Sequence, residues 1–321
     1  MELVPYEPSL NEAWDRLVRD ARLGHFQFLR GYMDYHADRF RDASYMARAK
    51  GRWVAAIPGH LVGEEGWASH KGLSYGGLIL SAELQSPQVI DSFRSLNKAL
   101  CQRGIRSATW RPIPWIYHRE PSEELPYLLF RQGATLKSRN LSTVIEVEAP
   151  REYQRLRRRK VASAESAGFV CRQTDDLDGF WPLVEGRLGS KYGLRPVHTL
   201  EEIRLLRDRL PDNIRLYGVF SEDRIVAGCL AYLGQPVFHL QYLHSSDEGR
   251  NLGAPDLLVD WMLRHAAKGF RWLHFGHSCE EGGMVLNEPL LFFKEGFGGR
   301  PVVLDEWESD PSVDPFPASE S

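Results

Sequence analysis

The sequence predicts a mixed α/β protein built from two halves of similar size. Three observations predict it. The chain has 321 residues, room for one large or two medium domains. Helical-period and strand-period segments alternate along its whole length. The character of the chain changes at Ala149-Pro150, where a strongly basic stretch begins. The expected organisation is a first domain over 1–148, a second over 149–307, and an acidic tail over 308–321.

In the first half, Ser9 to Ala21 reads as a helix. Ser9 stands as N-cap, Glu12 follows three residues on, and Trp14, Leu17, Val18 and Ala21 form an apolar stripe. Residues 43–50 and 52–62 read as a hairpin with Lys50-Gly51 at the turn. The segment SYGGLILS (74–81) leads into a strand. Pro87 to Arg103 reads as a helix closed by Gly104. Ile105 to Arg111 and Ser138 to Val147 read as strands.

In the second half, REYQRLRRRKVASAESAG reads as a helix ending at Gly168, followed by a strand from Phe169 to Gln173. Thr199 to Glu202 is a capping box that opens a helix stopping before Pro211. Three strand-like runs follow, 213–220, 224–233 and 236–244, the first two joined by a Glu222-Asp223 turn. Pro255 to Lys268 reads as a helix with Pro in its first turn and Gly269 past its end. Phe270 to Phe275 reads as a strand, Pro289 to Glu295 as a helix and Pro301 to Trp307 as a last strand. The stretch ESDPSVDPFPASES is acidic and rich in Pro and Ser, so disorder is expected there.

Composition narrows the function classes. Hydrophobic residues make up 43% and charged residues 26%, which excludes a disordered or collagen-like chain. The net charge of −3 argues against a protein that coats DNA by overall charge. That balance hides a split: residues 151–160 sum to +5, while 305–321 hold six acids and no Lys or Arg. No basic region followed by an apolar stretch opens the chain, and no run has the roughly 18 apolar residues of a spanning helix. A cytoplasmic protein without a membrane span is expected. The four cysteines lie 50 or more positions apart, so reduced thiols are expected rather than a CxxC metal or redox site. Cys279, near His274 and His277, is an alternative nucleophile. His274-Phe-Gly-His277 has a metal-like spacing without a third ligand, so no metal is expected.

Across 213–307 a more specific series appears. Ala227-Gly228, Gln241-Tyr242, Ser245-Ser246, Leu257-Leu258 and Phe292 to Gly299 (FFKEGFGG) stand in the order of an "iAG … qY…SS … FKeGFGG" pattern. This series resembles the FemAB-like branch of the GNAT-related acyltransferases. SYGGL (74–78) and the stretch from Leu129 to Ser142 resemble that family's first half. The resemblance implies two tandem GNAT-like domains, each a mixed twisted sheet flanked by helices. It also implies transfer of an acyl or aminoacyl group to an amine. Two departures stand out. His274 occupies a position that is often acidic in the family. The [QR]-x-x-G-x-[GA] signature of ordinary GNAT enzymes reads Arg250-Asn-Leu-Gly253-Ala254-Pro255 here.

Several residues carry the expected chemistry. Free backbone N–H groups at the start of a helix favour a pyrophosphate, so Arg250 and Gly253 are donor-binding candidates, although Pro255 removes one N–H. Arg155, Arg158 and Arg159 share a helix face with Arg151 and are candidates for phosphate contacts to CoA, tRNA or a nucleotide-linked acceptor; an unliganded solvated face is the alternative. Tyr242, Ser245 and Ser246 are candidates for substrate contacts. Lys294 is the leading catalytic candidate: attack of an amine on an ester or thioester creates an oxyanion that an ammonium stabilises. A pairing of Lys294 with Glu295 is the alternative. His274 and His277 are candidate general bases. Acyl-CoA or aminoacyl-tRNA is the expected co-substrate, with no bound cofactor. The expected acceptor is a small-molecule or nucleotide- or lipid-linked amine of a cell-envelope precursor, a class implied by the resemblance alone. The alternatives are acetyl-CoA-dependent acetylation of a small amine and a non-catalytic binding protein with a decayed site.

Overall fold

The structure, a computed structural model, describes residues 1–70, 72–192 and 196–317. In chain order the first half comprises β1 (Glu2–Pro5), α1 (Asn11–Asp20), α2 (Arg30–Met33), β2 (Tyr45–Ala49), β3 (Arg52–Ile57), β4 (His60–Val62), β5 (Gly66–Ala68), β6 (Ile79–Leu80), α3 (Ser86–Gln102), β7 (Ser107–Trp110), α4 (Glu124–Arg131) and β8 (Thr135–Glu146). The second half comprises α5 (Arg155–Ser166), β9 (Val170–Thr174), α6 (Leu177–Tyr192), α7 (Leu200–Arg209), β10 (Ile214–Ser221), β11 (Arg224–Gly234), β12 (Val237–Ser245), α8 (Asp247–Leu252), α9 (Ala254–Trp261), β13 (Trp272–His277), β14 (Cys279–Glu280), β15 (Val285–Leu286), α10 (Glu288–Glu295) and β16 (Arg300–Ser309).

These elements form two compact units. Unit 1 contains Met1–Asn140, Glu280–Val285 and Val303–Ser321; unit 2 contains Leu141–Cys279 and Leu286–Val302. The sequence reading put one boundary near residue 149. The units instead exchange chain, because the long strands β8 and β16 each start in one unit and end in the other.

Unit 1 holds an antiparallel sheet in the order β1-β2-β3-β6. The β2–β3 hairpin turns where expected, with Lys50 and Gly51 both at positive φ (49° and 79°), the conformation of a tight hairpin turn. In a second group of strands β5 runs parallel to β7, and Trp307 to Ser309 of β16 run antiparallel to β7. α3 buries Val89, Phe93, Leu96 and Leu100, and Phe93 and Trp67 pack on Trp110 with ring centroids 5.5 and 4.9 Å away. The α1 stripe of Trp14, Leu17 and Val18 is buried as expected. Its start is not. Pro8 to Leu10 form a 3-10 turn and Leu10 precedes the helix without a side-chain cap, because Ser9 is absorbed into that turn.

Unit 2 has the sheet order β9-β10-β11-β12-β13, with the C-terminal part of β8 antiparallel beside β13. The strands β9 to β12 are antiparallel and β12 to β13 is parallel. Residues of β11 alternate between two faces. Ala227, Cys229 and Ala231 join a core with Val161 and Ala164 of α5 and Leu257 and Leu258 of α9. Gly228 turns the other way, against Phe180 of α6: a Cβ there would sit 2.5 Å from its ring. The Thr199 capping box forms in both directions. The helix expected over 255–268 is shorter, since a five-residue π turn (262–266) follows Trp261.

The tail expectation fails for residues 310–317. Gln132 Nε2 donates to the carbonyls of Asp310 (3.0 Å) and Val313 (2.9 Å). Arg94 pairs with Asp314 at 2.8 Å, and Arg94 and Arg131 lie over the Phe316 ring. The arginines of α3 and α4 supply the countercharge that the tail lacks. Residues 318–321 of the expected tail lie outside the described residues. Arg94→Ala should speed amide hydrogen exchange in 310–317 at least several-fold. Global stability should fall by under about 1 kcal/mol, as for an exposed pair. Exchange mass spectrometry and urea melts check both.

Candidate functional site

The site begins with a failure of pairing. Parallel β12 and β13 match only at Val237 with Trp272, Phe238 with Leu273 and His239 with His274. Beyond that point β12 carries a bulge: Leu230 faces Tyr242 and Ala231 faces Leu240, leaving Gln241 as the extra residue. Bulges bend a strand and re-aim its side chains. The two strands run on unpaired to Ser245 and His277, and a cleft of about 650 Å³ opens there. Leu240 to Ser245, except Tyr242, form one wall; Phe275 and His277 form another; α5, the α8–α9 segment and α10 supply the rest.

An unpaired strand leaves carbonyls without partners, and a buried carbonyl needs one. Lys294, in the last turn of α10, provides it. Its side chain is buried, and Nζ donates to the carbonyls of Gly276 (2.8 Å) and His277 (2.7 Å). An ammonium has three donors, so one remains for the cleft that Lys294 lines. Burial pulls the Lys294 pKa down to about 7, while carbonyl acceptors favour the charged form. The alternative, a pairing of Lys294 with Glu295, is not among the ion pairs of the described residues; Nζ is held by the two carbonyls instead.

His277 also lines the cleft. Its Nδ1 lies 2.9 Å from the Cys279 carbonyl. A carbonyl only accepts, so this nitrogen carries the proton and Nε2 presents a lone pair. Burial holds the His277 pKa below its ordinary value, opposed by the bond to Cys279. The ring is therefore a neutral base near neutral pH.

His274 is different. It is buried, outside the cleft, with Nε2 2.5 Å from Ser142 Oγ and Nδ1 3.0 Å from His239 Nδ1. Burial, the neighbouring His239 and Lys294 push its pKa well down. Both ring nitrogens are engaged, so the structure gives it a packing role and not the expected base role. Cys279 is buried, and its Sγ accepts from the Leu141 N–H at 3.2 Å; no His–thiol pair forms. Among the described residues no cluster of His, Cys, Asp or Glu is arranged to hold a metal.

The basic helix is used on a face that the sequence reading did not choose. Arg155, Arg158 and Arg159 are exposed and do not line the cleft. Arg157 and Lys160 do. Arg157 donates to Asp256 of α9 at 2.8 Å, with both side chains under a tenth exposed. Its guanidinium lies 5.1 Å from the Phe293 ring. Gly296 permits this crossing, because a Cβ there would sit 2.8 Å from Arg157 Cγ. Burial raises the Asp256 pKa to about 6, against the pull of Arg157 and Lys160. Arg157, Val161 and Ala164 are the buried residues of α5. Extending the Val161–Ala164 stripe back by four positions would have found Arg157.

The other candidates separate in the same way. Ser245 lines the cleft. Ser246 is the N-cap of α8, accepting from Gly249 N at 3.0 Å. Tyr242 faces away, its hydroxyl 2.8 Å from His198 Nδ1 and its ring against Trp181. Arg250 lines the cleft and pairs with Asp247 at 2.6 Å, while Nη1 is buried without a hydrogen-bond partner. Gly253 has φ +94°, and a Cβ there would lie 2.3 Å from the Lys160 carbonyl. The backbone of α5 therefore packs directly on the turn at which the sequence placed a pyrophosphate. Gly253 N already bonds the Arg250 carbonyl, and Lys160 Nζ donates to Asn251 O at 2.6 Å.

Residues 151–282 match the family described as an acetyltransferase (GNAT) domain. This segment is a GNAT domain. The whole chain is similar to solved structures at low identity. FemX aligns over 96% of this chain and 97% of its own at 11% identity, with a TM-score of 0.67. The C-terminal domain (DUF2156) of a putative lysylphosphatidylglycerol synthetase from Agrobacterium fabrum aligns over 94% and 92% at 12% identity, TM-score 0.60. A tandem GNAT protein from the clavulanic acid biosynthesis pathway aligns over 97% and 98% at 14% identity, TM-score 0.53. No curated protein matches the sequence. The fold is thus the tandem GNAT-like one expected from the motif series. Among the described residues no helix is long and apolar enough to cross a membrane.

The sign of the Lys294 linkage follows from its lowered pKa. Below pH about 7 the group is protonated in both folded and unfolded chains, and the burial cost is fully present. Between about 7 and the ordinary value near 10.4 the unfolded chain binds the extra proton, so stability rises with pH. Lys294→Met should remove that rise. Urea melts at pH 6.5, 8 and 9.5 should show the wild type gaining on the variant by a few kcal/mol across the series; a constant difference would refute the assignment.

Proposed function

We propose that the unit 2 cleft catalyses transfer of an activated acyl or aminoacyl group to an amine. The observation that carries this reading is Lys294, a buried ammonium with one donor left for the cleft, beside a neutral His277. In this mechanism the amine attacks the carbonyl carbon of the donor. The Lys294 ammonium, held in place by two backbone carbonyls, stabilises the oxyanion as it forms. His277 Nε2 takes the proton that the attacking nitrogen loses. The intermediate then collapses: the bond to the donor's oxygen or sulfur breaks, and His277 returns the proton to it, so that the alcohol or thiol leaves and the imidazole is neutral again.

The lining also informs the substrates. Arg157, Lys160, Arg250 and Lys294 face only one carboxylate, Asp256, in the cleft. That excess of positive charge, with the unpartnered Arg250 Nη1, suits a substrate carrying phosphate or carboxylate. Half-exposed Phe292 and Leu290 form an apolar lip for an acyl or lipid segment. A nucleotide- or lipid-linked amine of an envelope precursor fits both features. The name of the putative lysylphosphatidylglycerol synthetase domain, which shares the fold, supports the lipid-linked part of this reading, because it names an aminoacyl group on a lipid. As donor, aminoacyl-tRNA fits better than acyl-CoA, because α5 packs on the helix start at Gly253.

Lys294→Met should lower kcat by about 10²–10³ with little change in KM, as for loss of one oxyanion donor. The wild-type kcat should fall as pH rises through about 7, where the ammonium is lost. Steady-state kinetics with charged tRNA and an amine acceptor test both. Acetyl-CoA at a hundredfold excess over its Kd would stabilise a CoA enzyme by about 2.7 kcal/mol, so the donor proposal expects no shift in Tm with acetyl-CoA. Full activity of Lys294→Met would overturn the catalytic role.

A further inference from the structure

Unit 1 contains a second cavity, of about 300 Å³, at the lower end of the usual range for small-molecule sites. Arg30 is 2% exposed within it, and its guanidinium lies 3.5 Å from the Tyr6 ring. It pairs with Asp42 at 2.5 Å and with Asp34 at 3.5 Å. Two carboxylates face one guanidinium, so the charged side chains of the lining sum to −1. His36 and His70 stack with ring centroids 5.0 Å apart, which disfavours charge on either ring. Burial, with His36, His60 and Arg30 nearby, pushes the His70 pKa down to about 2.

His70 is one of several buried side chains of unit 1 with an unpartnered polar atom, and it lines this cavity. It is 3% exposed, and its Nδ1 has no hydrogen-bond partner. A buried nitrogen left in this way costs stability unless a ligand or water meets it. Its backbone is also held at φ +56°, the left-handed region that most side chains avoid. Such strain clusters at ligand sites. The turn further requires Gly72, where a Cβ would lie 2.0 Å from His36 Nε2. Phe40 closes the apolar side of the cavity.

We propose that this cavity binds a small hydroxylated amine of amino-sugar size. Its ammonium sits between Asp34 and Asp42, its ring lies against Phe40, and one hydroxyl hydrogen-bonds His70 Nδ1. The negative lining selects a cation, the aromatic wall a carbon ring and the unpartnered nitrogen a hydroxyl. The site lies entirely within unit 1 and does not rest on acyl transfer in unit 2, so binding alone tests it.

Isothermal titration calorimetry of the full chain with D-glucosamine, and with D-glucose as the uncharged control, decides the matter. The expected result is one saturable site per chain, with D-glucose bound at least about tenfold more weakly. Asp34→Asn, at an exposed position, and His70→Asn, which keeps a residue tolerant of the left-handed region, should each weaken D-glucosamine binding about tenfold. Thermal melts confirm that each variant is folded; if His70→Asn is not, Asp34→Asn decides alone. Absence of saturable heat with D-glucosamine, equal affinity for D-glucose, or wild-type affinity in the folded variants would overturn the proposal.

Discussion

Everything in the candidate site follows from two strands that stop pairing. A parallel pair held at three positions cannot stay in register past a bulge. Once Gln241 is extruded, β12 and β13 must diverge. Divergence creates the cleft and, in the same step, strands the carbonyls of Gly276 and His277. The ammonium of Lys294 fills that deficit. A charged side chain is therefore kept under the floor of a cleft for a structural reason before any chemical one. The proposed catalytic role uses a charge that the backbone already needs.

A second constraint acts on the opposite wall. Arg157 and Asp256 are both removed from water, and neither is tolerable without the other. Their bond ties α5 to α9. It fixes the approach of α5 to the α8–α9 turn, which only glycine at 253 permits. Gly296 of the last motif has a reason of its own: it makes room for the arginine, beside the phenylalanine that it crosses.

Much of the fold was legible because local chemistry decided it. The Lys50-Gly51 turn, the Thr199 capping box and the alternation of β11 each depend on neighbours within a few residues. Lys294 was legible as a candidate because a motif with known spacing carried it, and His277 because an imidazole at the end of a strand titrates near neutral pH. What the sequence concealed depends on partners far along the chain. The basic helix has two faces with similar composition, and only the packing of Val161 and Ala164 on α9 shows that Arg157 is the inward one. His274 reads like His277 three positions away, yet strand alternation and the bulge beside Ser142 send it inward. The acidic tail reads as disordered because its countercharges, Arg94 and Arg131, lie about 200 residues earlier. Ser9 reads as a cap, but Pro8 starts the turn one residue too soon.

The exchange of strands between the units has a consequence for biosynthesis. Ribosomes deliver the chain from its N-terminus, and domains commonly fold as they emerge. Here the antiparallel neighbour of β7 is the stretch Trp307 to Ser309, made after all of unit 2. Until then β7 presents an open edge, and an open edge invites pairing with other chains. The first unit to be synthesised is thus the last to be completed. A truncated product lacking β16 would leave that edge open, whatever the state of the second unit.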